Sequence, residues 1–394
     1  MTVEIGDYVD VVSGPAYQSA SFTDDPSDMP LIKGENIAQG YIAWEKSRYW
    51  PIGQVEGYER FRLIAGDIVL AMDRPWITAG LKWARLKPHD PPSLLVQRVA
   101  RLRARSGLRQ DFLAYIIGSA TFSKYVRNIM GGTNVPHISG SQIRRFKFPL
   151  PRQKEQAAIA STLSAYDDLI ENNRRRIALL EEAARLLYRE WFVHFRFPGH
   201  EHVKILAGIP GGWKRRTLVE LAEIVMGQSP KSQFYNEIGE GLPFHQGVSD
   251  YGFRFVSHRV FSSAVTKIAE AGDILISVRA PVGRINITRD RIVLGRGLAA
   301  IRSRTGHQSF LLYAMKNHFY AEDIIGTGAI YAATNKKELE DQIFLEPSAA
   351  LLQEFEDQAS AIDLQITCLT GQNDNLARAR DLLLPRLMNG EVAV

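Results

Sequence analysis

The decapeptide GDIVLAMDRP at residues 66–75 returns as GDILISVRAP at 272–281, 206 positions later. A chain that spells Gly-Asp, an apolar run and Pro twice is built from two copies of one unit, so the repeat has to be read before any motif. The match extends both ways. Ile5–Gly14 lies over Leu218–Gly227 and Pro30–Gly34 over Pro243–Gly247, both at an offset of 213. VARLRARSG (99–107) matches LAAIRSRTG (298–306) at 199, and Gly132, Ile143, Phe148 and Pro151 match Gly328, Leu339, Phe344 and Pro347 at 196. An offset that drifts from 213 to 196 is what two copies with loops of different length produce.

The offset of 196 then carries through a segment of another kind. Ile159, Leu163, Tyr166, Ile170, Asn173, Ile177, Leu180, Ala184, Leu187 and Trp191 step by four and three, a heptad seam interrupted at Asn173. Adding 196 gives Phe355, Ala359, Ile362, Ile366, Leu369, Asn373, Leu376, Arg380, Leu383 and Leu387, interrupted at Asn373 and Arg380. Each seam predicts a helix of roughly 35 residues, about 50 Å long. If the helices pair antiparallel, residue numbers summing to 546 bring Asn173 opposite Asn373 and Ile177 opposite Leu369, a buried polar pair that fixes register. Pro385 is expected to end or kink the second helix.

The predicted fold is therefore α+β. Two tandem mixed α/β domains are separated by two long helices that pair as an antiparallel coiled coil with pseudo-two-fold symmetry. The segments run 1–150, 151–197 (first long helix), 198–346 and 347–394 (second long helix). Each block reads as short strands with one helix, near 109–128 or 308–323. FPGHEHVKILAGIPGGW (197–213) reads as a Gly/Pro-rich linker.

Charge is distributed by block. Residues 1–150 carry +5, 151–200 +1, 201–346 +3 and 347–394 −4. Basic blocks are the electrostatic footprint of a nucleic-acid partner, and the acidic second helix is expected to stay off DNA. No run of about 18 uncharged apolar residues is present, so no membrane partner is expected. The acidic start MTVEIGDYVD and the single Cys368 suit a reducing cytoplasm.

Catalytic patterns are missing. There is no GxxxxGK[ST] loop, GRGLAA (295–300) is not a dinucleotide fingerprint, and no Asn-Pro-Pro-aromatic tetrapeptide occurs. His194, His200 and His202 lack metal-ligand spacing and read as a solvated linker. Asp67 and Asp273 read as turn residues before a strand. Neither a catalytic residue nor a metal site is predicted. Binding chemistry is better represented: loops that differ between two copies of one framework suit the reading of two different sequences. The DNA-binding candidates are Lys33, Asn36, Arg74, Thr133, Asn134 and His137 in the first copy. In the second they are Gln246, Ser249, Arg279, Arg284, Thr327 and Tyr331. Their donors fit base edges and phosphates.

The stretch FKFPLPRQKEQAAIASTLSAYDDLIENNRRRIALLEEAARLLYREWFVHFRFPG (146–199) closely resembles the central conserved region of type I restriction–modification specificity (S) subunits, and LLLPRLMNGEV (382–392) resembles the end of their C-terminal region. LPFHQGV and the repeated decapeptide are similar to segments of their target-recognition domains. The resemblance implies a non-catalytic subunit that reads a bipartite, asymmetric double-stranded DNA site, one part per recognition domain. It implies assembly with two methyltransferase (M) subunits, which use S-adenosylmethionine and dock on the helices, and with restriction (R) subunits, which use ATP and Mg²⁺. The second helix copy lacks the EQ of PRQKEQ, and the first block lacks the PGGW lead-in of the second, so equal docking at both ends is not implied. Two other readings fit the repeat: the recognition part of a related DNA-modifying system, and a coiled-coil scaffold without DNA specificity.

Overall fold

The computed structural model describes residues 2–77, 80–130, 136–320, 333–388 and 390–392. Packing divides them into two units, Met1–Asn172 with Gln372–Val394, and Asn173–Gly371. The units cut through both long helices rather than setting them apart, so each unit contains one recognition block and a length of each helix.

In the first unit the strands are β1 (Thr2–Glu4), β2 (Val9–Ser13), β3 (Met29–Ile32), β4 (Gln39–Gly40), β5 (Ile68–Ala71), β6 (Trp83–Arg85), β7 (Ser93–Leu95), β8 (Val99–Ala104) and β9 (Lys147–Pro149). The helices are α1 (Gln110–Gly118), α2 (Ala120–Met130) and α3 (Gly140–Arg144), followed by the long α4 (Gln153–Tyr188). The main sheet has the order β2-β8-β5-β6-β4, and β3 pairs in parallel with β7 in a second sheet. The repeated decapeptide supplies β5, buried on both faces. Ile68 and Leu70 face a core shared with α1 and α2, while Val69 and Ala71 face a core with Ile32, Leu95 and Val99. A continuous apolar run is what a strand covered on both sides requires.

The second unit repeats this plan with β10 (Lys214–Thr217), β11 (Ala222–Met226), β12 (Leu242–His245), β13 (Ile274–Ser277), β14 (Ile285–Ile287), β15 (Ile292–Leu294), β16 (Leu298–Ser303) and β17 (Ile343–Glu346). Its helices are α5 (Gln308–Tyr320) and α6 (Lys336–Glu340), and the chain ends in α7 (Ala349–Met388). The order β11-β16-β13-β14 and the parallel pair β12–β15 match β2-β8-β5-β6 and the pair β3–β7 of the first unit, whose sheet adds β4 at its edge. Gly14 and Gly227 explain one matched pair: a Cβ would lie 2.2 Å from the Val96 carbonyl oxygen in one and 2.1 Å from that of Gly295 in the other. Capping boxes recur as well, Ser139 with Gln142 on α3 and Asn335 with Glu338 on α6.

Two sequence expectations change, and a third, that Pro385 ends or kinks the second helix, loses its first alternative. The single helix near 109–128 is two: α1 ends at Gly118, which packs against the Trp83 ring, and Ser119 turns the chain, its Oγ donating to Ile116 O (2.7 Å) and accepting from Phe122 N (3.0 Å). The 197–213 segment is anchored rather than a loose linker. Phe197 and Trp213 are buried in the second unit's core, and Ile205–Leu206 pairs with Ile209–Pro210. Pro385 lies inside α7, which runs three residues further.

Within each unit the long helices pack antiparallel. In the first unit Ile159 and Leu163 share a core with Leu384 and Leu387, and Asp167 Oδ1 meets Arg380 Nη1 at 2.5 Å. That ion pair accounts for the break in the apolar seam at Arg380. In the second unit Ile177 clusters with Ile366 and Leu369, and the Trp191 and Phe355 rings lie 5.8 Å apart. None of the seam residues Ile159, Leu163, Ile170, Asn173, Ile177, Leu180, Leu187, Ile362, Ile366, Leu369, Asn373, Leu376 and Leu383 is fully exposed.

Each block is tied to a long helix by the same bond: Tyr115 Oη donates to Asp167 Oδ2 (2.8 Å) and Tyr313 Oη to Asp363 Oδ1 (2.7 Å). In the second unit the buried Arg254 adds ion pairs to both Asp363 and Glu181, and Lys316 also reaches Glu181. No described helix is long and apolar enough to cross a membrane.

Candidate nucleic-acid interface

The Gly-Asp that opens each decapeptide is structural. Asp67 accepts from Ile64 N (2.8 Å) and grips Arg103 on β8 with both oxygens. Asp273 accepts from Glu270 N (2.8 Å) and grips Arg302 on β16 in the same way. Gln110 donates to the carbonyls of Gly66 (2.7 Å) and Leu102 (3.2 Å), and Gln308 to those of Gly272 (3.0 Å) and Ile301 (3.2 Å). These side chains hold the start of the central strand to its neighbour.

At the other end of that strand, backbone bonds gather three loops. Met72 N donates to Arg98 O and Ile138 N to Met72 O, both at 2.8 Å. The equivalent bonds run from Val278 N to Gly297 O and from Thr334 N to Val278 O, both at 2.9 Å. In each unit the post-strand loop, the turn before the last sheet strand and the loop before the short capped helix therefore meet at one edge. The framework is common and the side chains on it differ.

Residues 1–182 match the family described as the type I restriction modification DNA specificity domain. The chain is 28% identical over 406 residues to a putative type I restriction enzyme MjaX specificity subunit of Methanocaldococcus jannaschii, spanning 99% of this chain and 93% of that one. It is 34% identical to the EcoAI specificity subunit of Escherichia coli over 42% of this chain and 28% of that one. Both comparisons place the chain alongside type I restriction–modification specificity subunits, to which it is similar over nearly its whole length. The crystal structure of a type I restriction–modification S subunit from M. genitalium has the same fold, with a TM-score of 0.55 at 18% identity over 98% of this chain and 95% of that one.

The structure places the candidate residues unequally. Arg74 and His137 come together at the first unit's edge, with Asp73 between them: Arg74 N bonds Pro136 O (2.7 Å), and His137 Nδ1 lies 2.6 Å from Asp73 Oδ1. Lys33 stands in a neighbouring turn, paired with Glu35. Asn36 is corrected from reader to brace. It is 1% exposed, its Oδ1 accepts from Lys33 N (2.8 Å), and its Nδ2 donates to Leu31 O and Ser47 Oγ, both at 3.0 Å. Thr133, Asn134, Thr327 and Tyr331 lie outside the described residues.

In the second unit Gln246 and Arg279 flank the loop meeting point. Gln246 is exposed, and its Oε1 takes the Ser229 hydroxyl (2.7 Å). Ser249 is exposed in the next turn, and Arg284 is exposed with its backbone N–H on Ser277 Oγ (2.9 Å). Sequence reading missed four cations, three in the first unit and one in the second. Arg98 and Arg296 stand in equivalent turns, just before the matched strands β8 and β16. Lys82 reaches the Gly34 carbonyl, and Arg127 stacks 4.8 Å from the Trp76 ring. A cation in the turn preceding a matched strand was the available signal.

The EQ of PRQKEQ also changes meaning. Gln156 is completely buried: it accepts from Arg109 N (2.9 Å) at the start of α1 and donates to Gly107 O and Pro151 O, both at 3.0 Å. The second unit lacks this glutamine, and Glu356, one turn later, accepts from Ser309 N (3.0 Å) and Phe310 N (2.9 Å) at the start of α5. The difference between the helix copies is thus an exchange of internal caps.

Beneath Gln246 sits the fully buried His245. Its Nε2 lies 2.9 Å from His258 Nδ1, and His258 Nε2 lies 2.9 Å from Asp290 Oδ2. Burial, reinforced by His258 and opposed by Asp250, holds the His245 pKa down at about 4.

Proposed function

We propose that this chain is the DNA-binding specificity subunit of a type I restriction–modification complex, one unit reading each part of a bipartite, asymmetric duplex site. The observation that carries the reading is the repeated three-loop edge. Identical backbone bonds present Arg74, Arg98 and His137 in one unit and Gln246, Arg279 and Arg296 in the other. A common scaffold with unlike donors recognises unlike base edges, while exposed lysines and arginines supply phosphate contacts and salt dependence.

The chain is the non-catalytic member of the assembly and acts in the cytoplasm. Methyl transfer from S-adenosylmethionine belongs to methyltransferase subunits, two per complex, and ATP- and Mg²⁺-dependent translocation and cleavage to restriction subunits. Outward leucines on the long helices suit docking of the methyltransferase subunits: Leu169 and Leu382 in the first unit, Leu179, Leu186 and Leu364 in the second.

The test is selection of duplexes from a random library by the full chain, with its methyltransferase partner, at two salt concentrations. Enrichment of a two-part motif, with affinity falling steeply as salt rises, is the expected result. Salt-independent binding with no enriched sequence would leave a scaffold.

A further inference from the structure

The first unit carries a feature the repeat does not demand. Four described non-glycine residues have a left-handed backbone, and two of them are the arginines at this one edge, Arg74 (φ 43°) and Arg98 (φ 64°). A branched cation is an expensive choice in that conformation, where glycine is the ordinary occupant. The second unit has Gly297 at the position of Arg98. Both strained residues are held by the backbone bonds of the three-loop edge, through Arg74 N and Arg98 O. Strain kept in place by surrounding bonds marks a position retained for its side chain.

Asp73 organises that side-chain pair. Its Oδ2 takes Arg98 Nη1 and its Oδ1 takes His137 Nδ1, both at 2.6 Å, so each carboxylate oxygen is engaged. The neighbouring Arg74 is exposed, and its guanidinium makes no hydrogen bond or ion pair among the described residues. An acidic group on a surface meant for DNA repels phosphate unless cations neutralise it. Here it fixes two nearby donors and leaves one guanidinium fork open.

We propose that Arg74 is the specificity-determining residue of the first unit, reading a guanine through a two-pronged contact to O6 and N7, and that Asp73 is its positioning residue. Asp73 holds Arg98 and His137 to the protein, which lowers indiscriminate attraction for phosphate and keeps the Arg74 fork unobstructed. The inference rests on the DNA-reading function proposed above. Arginine is the side chain whose geometry matches guanine in the major groove, and lysine in its place keeps the charge but loses the fork.

The experiment repeats the random-duplex selection with full-length wild type, Arg74→Lys and Asp73→Asn, and measures affinity for a fixed random duplex. Wild type should enrich a motif with a guanine in one part. Arg74→Lys should lower discrimination at that guanine roughly ten- to hundred-fold, while the other part of the motif keeps its sequence. Asp73→Asn should raise random-duplex affinity and steepen its salt dependence while discrimination at the same base falls. A motif unchanged by Arg74→Lys overturns the assignment of Arg74. Parallel loss of both affinities in Asp73→Asn overturns the positioning role, since it marks a merely structural residue. A wild-type chain that enriches no sequence overturns the functional reading itself, and this inference with it.

Discussion

Asp273 holds Arg302 in a two-pronged ion pair, Oδ1 to Nε at 2.7 Å and Oδ2 to Nη2 at 2.8 Å, from a carboxylate with almost no solvent exposure. Asp67 and Arg103 make the same pair in the first unit. The two central strands are therefore registered by charge as well as by backbone bonds. Asp273→Asn is expected to cost about 1–2 kcal/mol, a modest figure because Arg302 stays partly in water. Asp67→Asn should cost a similar amount, and thermal unfolding of each variant measures it. Unequal losses would show that the repeat is not energetically equivalent.

The exchange of caps between the long helices can be tested by transplanting one solution into the other unit. Gln156→Leu puts the second copy's residue, Leu352, into the first and strands Arg109 N and two carbonyls, an expected loss of about 2–3 kcal/mol. Adding Ala160→Glu, the counterpart of Glu356, should recover part of it. The midpoint of unfolding for the single and double variants reads the rescue.

Arg254 lies between Glu181 and Asp363 in the second unit with little solvent contact. Arg254→Ala leaves two carboxylates buried without that partner and should cost about 3–5 kcal/mol. Neutralising the group together, as Arg254→Met with Glu181→Gln and Asp363→Asn, should cost less than the single change. Denaturant titration of the two proteins decides the order.

His245 makes the second unit sensitive to acid. Its pKa is about 4 when folded and near 6.5 when unfolded, so between those values the unfolded chain binds more protons. Stability should fall as pH drops through that window, by about 3 kcal/mol in full. The groups facing His245 are His258 and Asp250, with Asp290 behind His258. His245→Ile, which borrows Ile32 from the first copy, should flatten the profile between pH 7 and pH 4. Unfolding measured across that range is the check.

The framework was readable from the sequence because matched residues do matched work. The drifting offsets align Asp67 with Asp273, Gly14 with Gly227 and Ser139 with Asn335, and each pair makes the same contact. The seam was readable because heptad spacing is local. Features that depend on a distant partner were hidden. Asn36 looks like a donor in a polar turn, and only the fold shows that Leu31 and Ser47 consume it. The need for glycine at 118 comes from the Trp83 ring, 35 residues away. Phe197 and Trp213 read as linker aromatics until Phe192 is placed beside Trp213, with ring centroids 5.7 Å apart. Arg98 and Arg296 were overlooked because their importance lies in the loops that meet them rather than in their neighbours along the chain.

The central claim is that one chain carries two independent readers. Exchanging residues 1–150 for the equivalent block of a type I specificity subunit, and mapping methylated sites in DNA from cells that also express the proposed methyltransferase partner, tests it most directly. The account predicts that one part of the bipartite site changes while the other part keeps its sequence. Alteration of both parts, or of neither, would contradict it.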